Sequence, residues 1–179
     1  MESANIDHMT YEMNQTQPKW QGQACADLAG PKADQIWPFV EDFFGLKRWF
    51  PTLTACTGVE GVPGQPGCIR YCAGFNNAPF DRAIGQAKTS TLYWAKEKLL
   101  SIDPVAKTLS YTIIDSNIGF NSYVATGRVV PKEEGCCIMW RYEVEPVNGW
   151  KHEDLDQWFE SALQVMARSM EKALLGQAN

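Results

Sequence analysis

The sequence predicts an α+β domain: a curved antiparallel sheet of seven strands around one long C-terminal helix, with two short helices after the first strand. Three observations carry that reading. Short stretches of alternating character follow one another between residues 54 and 144 without helices between them. Apolar residues recur every three or four positions from 153 to 175. One further alternating stretch, 19–29, stands apart at the start. Strands in a run and helices held apart favour α+β, with the helices on one face of the sheet.

The first strand, 19–29, has Trp20 and Leu28 on one parity and is stopped by Gly30-Pro31. Residues 32–44 have helical spacing, with Ile36, Phe39, Val40, Phe43 and Phe44 on one stripe. Pro38 lies in the first turns or marks a kink. A second short helix is expected over 46–50, closed by Pro51. Strands follow at 54–60 and 68–73, joined by a connection rich in Gly and Pro. Residues 74–91, with Asn76, Asn77, Pro79, Gly85 and Gln86, lack periodicity and read as a long loop, a length common in binding loops. After a strand over 93–100 and a turn at Asp103-Pro104, residues 108–115 place Leu109, Tyr111 and Ile113 on one face. The strand over 121–130 places Tyr123, Ala125, Gly127 and Val129 together. A charged hairpin tip is expected at 131–135. In the strand over 136–144, Ile138, Trp140, Tyr142 and Val144 oppose Arg141 and Glu143, as in a meander with one wet face. The last helix carries Leu155, Trp158, Phe159, Ala162, Leu163, Met166, Met170, Ala173 and Leu174 on one stripe. Asp154 and Asp156 are expected in its first turn, where the helix dipole favours anions. A curved sheet gripping one helix leaves its concave side partly unfilled, so an internal cavity is expected.

The chain has 179 residues, enough for one domain with a real core and too few for two ordinary ones. Residues 1–18 are polar and expected to be a disordered tail, leaving 19–179 as the single domain. A net charge of −5 speaks against nucleic acid or an anionic membrane as partner. No stretch is long and apolar enough to span a bilayer, and the acidic N-terminus does not read as a targeting segment. A cytoplasmic protein, monomeric or a weak homodimer, is expected. Of the six cysteines, Cys68 and Cys72 are roughly 13 Å apart along a strand, too far for a disulfide. Cys136 and Cys137 point to opposite faces. The cysteines read as small buried hydrophobes, and two histidines leave little material for a metal site. No metal or cofactor is expected.

The chemistry is expected on the strand over 93–100. Lys96 and Lys98 belong in water, so the opposite parity, Tyr93, Ala95, Glu97 and Leu99, faces inward. That buries one carboxylate, which is costly without a partner. Arg70, on the short strand over 68–73, is the candidate partner. Read from the residues alone, such a pair either fixes strand register as a buried ion pair or does chemistry.

Four stretches carry a family resemblance: Lys19-Trp20-Gln21-Gly22, Gly67-Cys68-Ile69-Arg70-Tyr71, Trp94-Ala95-Lys96-Glu97-Lys98-Leu99, and Gly119-Phe120-Asn121-Ser122-Tyr123-Val124-Ala125-Thr126. With the order of elements, they resemble the lachrymatory factor synthase-like proteins of plants. These belong to the helix-grip, START-like (polyketide cyclase) superfamily, which also includes the abscisic acid receptors. The resemblance implies a cofactor-independent isomerase that converts an alkenyl sulfenic acid to a thial S-oxide in an internal cavity. It assigns catalysis to Arg70 and Glu97 and matches Tyr123 to a cavity tyrosine. Where the family has a second tyrosine, this chain has Ile113, with Tyr111 two residues earlier. Met166 stands where the family's helix has a tryptophan. The receptors' Ser-Gly-Leu-Pro-Ala gate and His-Arg-Leu latch are absent: the corresponding stretches read Ala73-Gly74-Phe75-Asn76-Asn77 and Asn117-Ile118-Gly119-Phe120.

On this reading the substrate is a small molecule. Arginine favours the charged form of a neighbouring carboxylate and burial opposes it, leaving Glu97 able to take a proton and return it to another atom. Arg70 would orient Glu97 and meet negative charge on a substrate oxygen. Tyr123 and Tyr111 would hydrogen-bond that oxygen, and Tyr93, Trp140, Tyr142 and Phe159 would wall the cavity. Two other classes fit the same fold: a carrier of a hydrophobic ligand, and a cyclase or isomerase of another specialised metabolite.

Overall fold

The computed structural model describes residues 17–75 and 92–177. The tail over 1–16 and most of the long loop, 76–91, lie outside the described residues. Strand β1 (Trp20–Leu28) leads into helix α1 (Ala33–Glu41) and a 3₁₀ segment (Phe43–Arg48). Six strands follow: β2 (Ala55–Glu60), β3 (Ile69–Ala73), β4 (Trp94–Asp103), β5 (Thr108–Ser116), β6 (Val124–Lys132) and β7 (Gly135–Val144). Helix α2 (His152–Gln177) ends the fold. All seven strands form one sheet in the order β1-β7-β6-β5-β4-β3-β2, every neighbouring pair antiparallel. The α+β class, the strand count and the long final helix are those the sequence predicts.

Burial follows the alternation. On β4, Ala95, Glu97 and Leu99 are buried while Lys98 and Leu100 are exposed. Two irregularities in the β4/β5 ladder, beside Ile114 and Leu100, set the pairing of Glu97 with Ile113 and of Ile102 with Leu109. Each extra residue re-aims the strand after it. Ile114 and Leu100 therefore turn outward, and Ile102 packs against the core.

Helix α1 is shorter than its apolar stripe suggests. It ends at Glu41, and Asp42 takes ψ 78°, outside the helical range. Phe43 and Phe44 consequently belong to the 3₁₀ segment, where their carbonyls are turned to other partners: Phe43 O accepts from Arg70 Nη1 at 2.5 Å and Phe44 O from Cys56 Sγ at 3.3 Å. The second short helix is this 3₁₀ segment, and Phe50 lies beyond it. Strand β6 starts at Val124 because Ser122 has φ +51°, which breaks the extended run. It continues through Pro131 and Lys132, paired with Cys136 and Gly135 of β7. Pro131 fits there because β5 begins at Thr108, opposite Arg128, so a missing N–H beyond it costs no ladder bond.

Helix α2 lays Leu155, Leu163, Met166, Ala167 and Met170 into the core, with Trp158, Phe159, Ala162, Ala173 and Leu174 partly buried beside them. It packs mainly on β1, and α1 lies against β6. His152 opens α2, one residue earlier than the sequence suggests, so Glu153 and Asp154 occupy its first turn and Asp156 lies just beyond it. Small residues under large rings shape the inner face. A Cβ on Gly127 would lie 2.4 Å from Trp140 Cζ3, and one on Gly22 would lie 2.4 Å from Tyr142 Cε1. Gly127→Ala is expected to displace the Trp140 ring and cost about 1–3 kcal/mol, as overpacking does. A denaturant melt with unchanged stability would contradict that packing.

Candidate active site

Arg70 and Glu97 face each other across β3 and β4, and each is 4% exposed. Arg70 Nε donates to Glu97 Oε2 at 2.6 Å, and Nη2 lies 2.6 Å from the same oxygen. Both contacts fall on Oε2, so Oε1 takes no hydrogen bond from Arg70. Nη1 is anchored on the Phe43 carbonyl at 2.5 Å. The guanidinium carbon lies 3.9 Å from the centre of the Phe43 ring and 5.2 Å from that of Tyr111. A desolvated cation on aromatic faces gains about 2 kcal/mol. Burial works against the charge on Arg70, but Glu97 and other neighbours outweigh it, so the arginine holds its proton more tightly than usual. The 3₁₀ segment comes this close because Gly58, opposite Arg70 on the edge strand, has no Cβ. One there would sit 2.3 Å from Phe44 Cε2.

Beside the ion pair stand two buried phenols. Tyr111 Oη and Tyr123 Oη are 3.2 Å apart. Burial, then the Glu97 charge, raises the Tyr111 phenol well above its ordinary range. Burial and then Tyr111 raise Tyr123 likewise. Both stay protonated across the physiological range. One hydroxyl proton serves the bond between them, and the other remains to donate.

The open space is small and divided. One cavity of about 60 Å³ is lined by Leu46, Phe50, Phe75, Trp140, Trp158, Phe159, Ala162, Leu163 and Met166. A second, of about 10 Å³, includes Phe43, Arg70, Leu109 and Met170 in its wall. Leu46, Trp140 and Met166 belong to both. The single hollow over the pair is thus two adjoining cavities among the described residues, because bulky side chains from α2 and the 3₁₀ segment fill the concave side. A wider hollow of about 580 Å³ lies open over Gln21, Gln23, Thr126, Arg141 and Glu143, away from the pair.

Trp140, Phe159 and Met166 line the larger cavity and Arg70 the smaller. Glu97, Tyr111 and Tyr123 lie behind these walls, joined to them through Arg70 and through the Tyr111/Trp140 and Tyr123/Phe159 ring contacts at 6.0 and 6.2 Å. Ile113 is half-buried opposite Glu97. Tyr93 is buried just before β4 but lines neither cavity. Tyr142 stacks on Phe159 at 4.4 Å but lines neither of these two cavities, bordering the wider hollow instead. Its hydroxyl donates to Asp156 Oδ1 at 2.6 Å, and burial, reinforced by that bond, raises its phenol. The sequence reading missed Leu46, Phe50, Phe75, Trp158, Ala162 and Leu163 as walls of the larger cavity. Trp158 and Leu163 both lie on the α2 stripe, Trp158 next to Phe159 and Leu163 one turn before Met166.

The arrangement offers a fixed cation, a carboxylate with one oxygen outside the ion pair, and a protonated phenol pair beside an apolar cavity. Such a set can move a proton within a bound molecule. Among the described residues no group of three or more His, Cys, Asp or Glu is placed to hold a metal, and no helix is long and apolar enough to cross a membrane.

A family model described as polyketide cyclase / dehydrase and lipid transport matches residues 29–175. Several solved structures share the fold. The protein XoxI from Bacillus cereus superimposes with a TM-score of 0.66 at 17% identity, covering 89% of this chain and 98% of that one. A protein from Thermobifida fusca gives 0.63 at 22%, covering 85% and 93%. The major latex-like protein 151 of Panax ginseng gives 0.62 at 15%, covering 86% and 97%. At such identities the likeness is one of fold, a sheet gripping a C-terminal helix.

Proposed function

The chain belongs to the polyketide cyclase/dehydrase and lipid transport family, and from that premise we propose that it is a cofactor-independent isomerase of a small alkenyl sulfenic acid, of the lachrymatory factor synthase type. The observation that carries this reading is the buried Arg70–Glu97 pair, with a carboxylate oxygen outside the ion pair and two protonated phenols alongside. Size supports it. The cavity of about 60 Å³ suits a small molecule. Pockets for larger ligands run to about 300–1,000 Å³.

Substrate binding joins the two cavities through rotation of Met166, an adaptable side chain shared by both, and shifts the Trp140 and Phe159 rings so that the substrate reaches Glu97 and the two phenols behind these walls. Glu97 removes the proton from the S–O–H group. Tyr123 and Arg70 meet the charge that develops on the oxygen. Glu97 then returns the proton to the alkene carbon remote from sulfur: the C=C bond becomes single and the C–S bond double, giving the thial S-oxide. The same proposal places the protein in the cytoplasm, as a monomer or weak homodimer.

The test couples the purified protein to a C–S lyase that generates 1-propenylsulfenic acid in place, and monitors the thial S-oxide. Formation of that product well above the lyase alone is expected. No conversion, with a lipid or other apolar ligand retained at unit stoichiometry, would establish a carrier instead.

A further inference from the structure

Cys56 and Cys72 lie directly opposite each other on β2 and β3, with Cys72 Sγ donating to Cys56 Sγ at 3.3 Å. Opposed residues on antiparallel strands have Cα atoms about 4.5–5.5 Å apart, inside the window of about 4.4–6.8 Å that a disulfide needs. Both thiols are free. Cys56 is part-exposed on the edge strand, whereas Cys72 is fully buried. We propose that this pair is an oxidation site, in which Cys56 reacts with a hydroperoxide and Cys72 resolves the product to a Cys56–Cys72 disulfide.

The Cys56 thiolate attacks one peroxide oxygen and breaks the O–O bond, giving a sulfenic acid on Cys56 and a hydroxide that takes up a proton as water. The sulfur of Cys72 then attacks Cys56 Sγ, loses its proton and expels a second water. Two thiols are oxidised by two electrons and one hydroperoxide is reduced. The surroundings favour Cys56 as attacker: the hydrogen bond from Cys72 outweighs burial and, helped by the Arg70 charge, brings its thiol down to about 7. A thiol in that range attacks well at neutral pH. Cys72 is held in the thiol form, chiefly by the bond that it donates and by burial. Cys72 shares the inner face of β3 with Arg70, so the bridge would lock the edge of the sheet that carries the arginine.

The test treats the reduced full-length protein with hydrogen peroxide, unfolds it, alkylates the remaining thiols and digests it without reductant. A peptide linking Cys56 to Cys72 is expected, formed at a rate that rises with pH and levels off above about 7. In Cys72→Ser a sulfenic acid on Cys56, trapped by dimedone, should replace the link. In Cys56→Ser Cys72 should stay alkylatable. The exposed Cys25 is the internal standard: if peroxide consumes Cys25 while Cys56 and Cys72 both still take the alkylating agent, the proposal fails.

Discussion

Glu97→Gln is expected to lower isomerase turnover by about 10²–10⁴-fold, the contribution of a general acid/base group, in a protein that still folds. The amide keeps an oxygen to accept from Arg70 Nε, where Oε2 now accepts at 2.6 Å, and it keeps the volume between β3 and β5. It loses the ability to take and return a proton. Because the phenols of Tyr111 and Tyr123 are untouched, substrate affinity should change far less than turnover, so kcat should fall and KM stay near its original value. Turnover close to wild type in a folded Glu97→Gln protein would remove Glu97 from the chemistry and leave the ion pair a structural one.

Arg70→Met is expected to give the largest loss of stability, about 3–5 kcal/mol, since it strands a carboxylate in the interior without its counter-charge. In a chain of this size that is a fall in Tm of roughly 10 °C. The Phe43 carbonyl loses its donor, and the Phe43 and Tyr111 faces lose the cation between them. Arg70→Met/Glu97→Leu should recover most of the loss, because no buried charge is left unpaired, but it should remain inactive. A double variant as unstable as Arg70→Met alone would show that packing around the arginine, rather than the lone carboxylate, sets the cost.

Parity alone reached the Arg70–Glu97 pair, because a strand with two lysines on one face has little choice about the other. The same logic placed Leu109, Tyr111 and Ala125 inside, and the α2 stripe was readable from its spacing. What periodicity could not show depends on contacts across the sheet. The carbonyl of Phe43 is claimed by an arginine 27 residues away, which helps end the helical run that its apolar stripe suggests. The Tyr142 hydroxyl is held by Asp156 on α2, which no pattern within β7 reveals. Cys56 and Cys72 meet only because a glycine- and proline-rich turn sets the β2/β3 register. The division of the cavity arises where Leu46, Trp140 and Met166, from three separate elements, converge.

The most direct test of Glu97 as the proton carrier is to run the isomerisation in deuterium oxide and analyse the thial S-oxide at the carbon next to the C=S group. A carboxylate fixed on one side of an enclosed substrate delivers to one face. The account therefore predicts a product carrying one deuterium in a single configuration there, with that selectivity lost in Glu97→Gln. Deuterium distributed equally over both faces with the wild-type protein would mean that the proton arrives from solvent, and would contradict it.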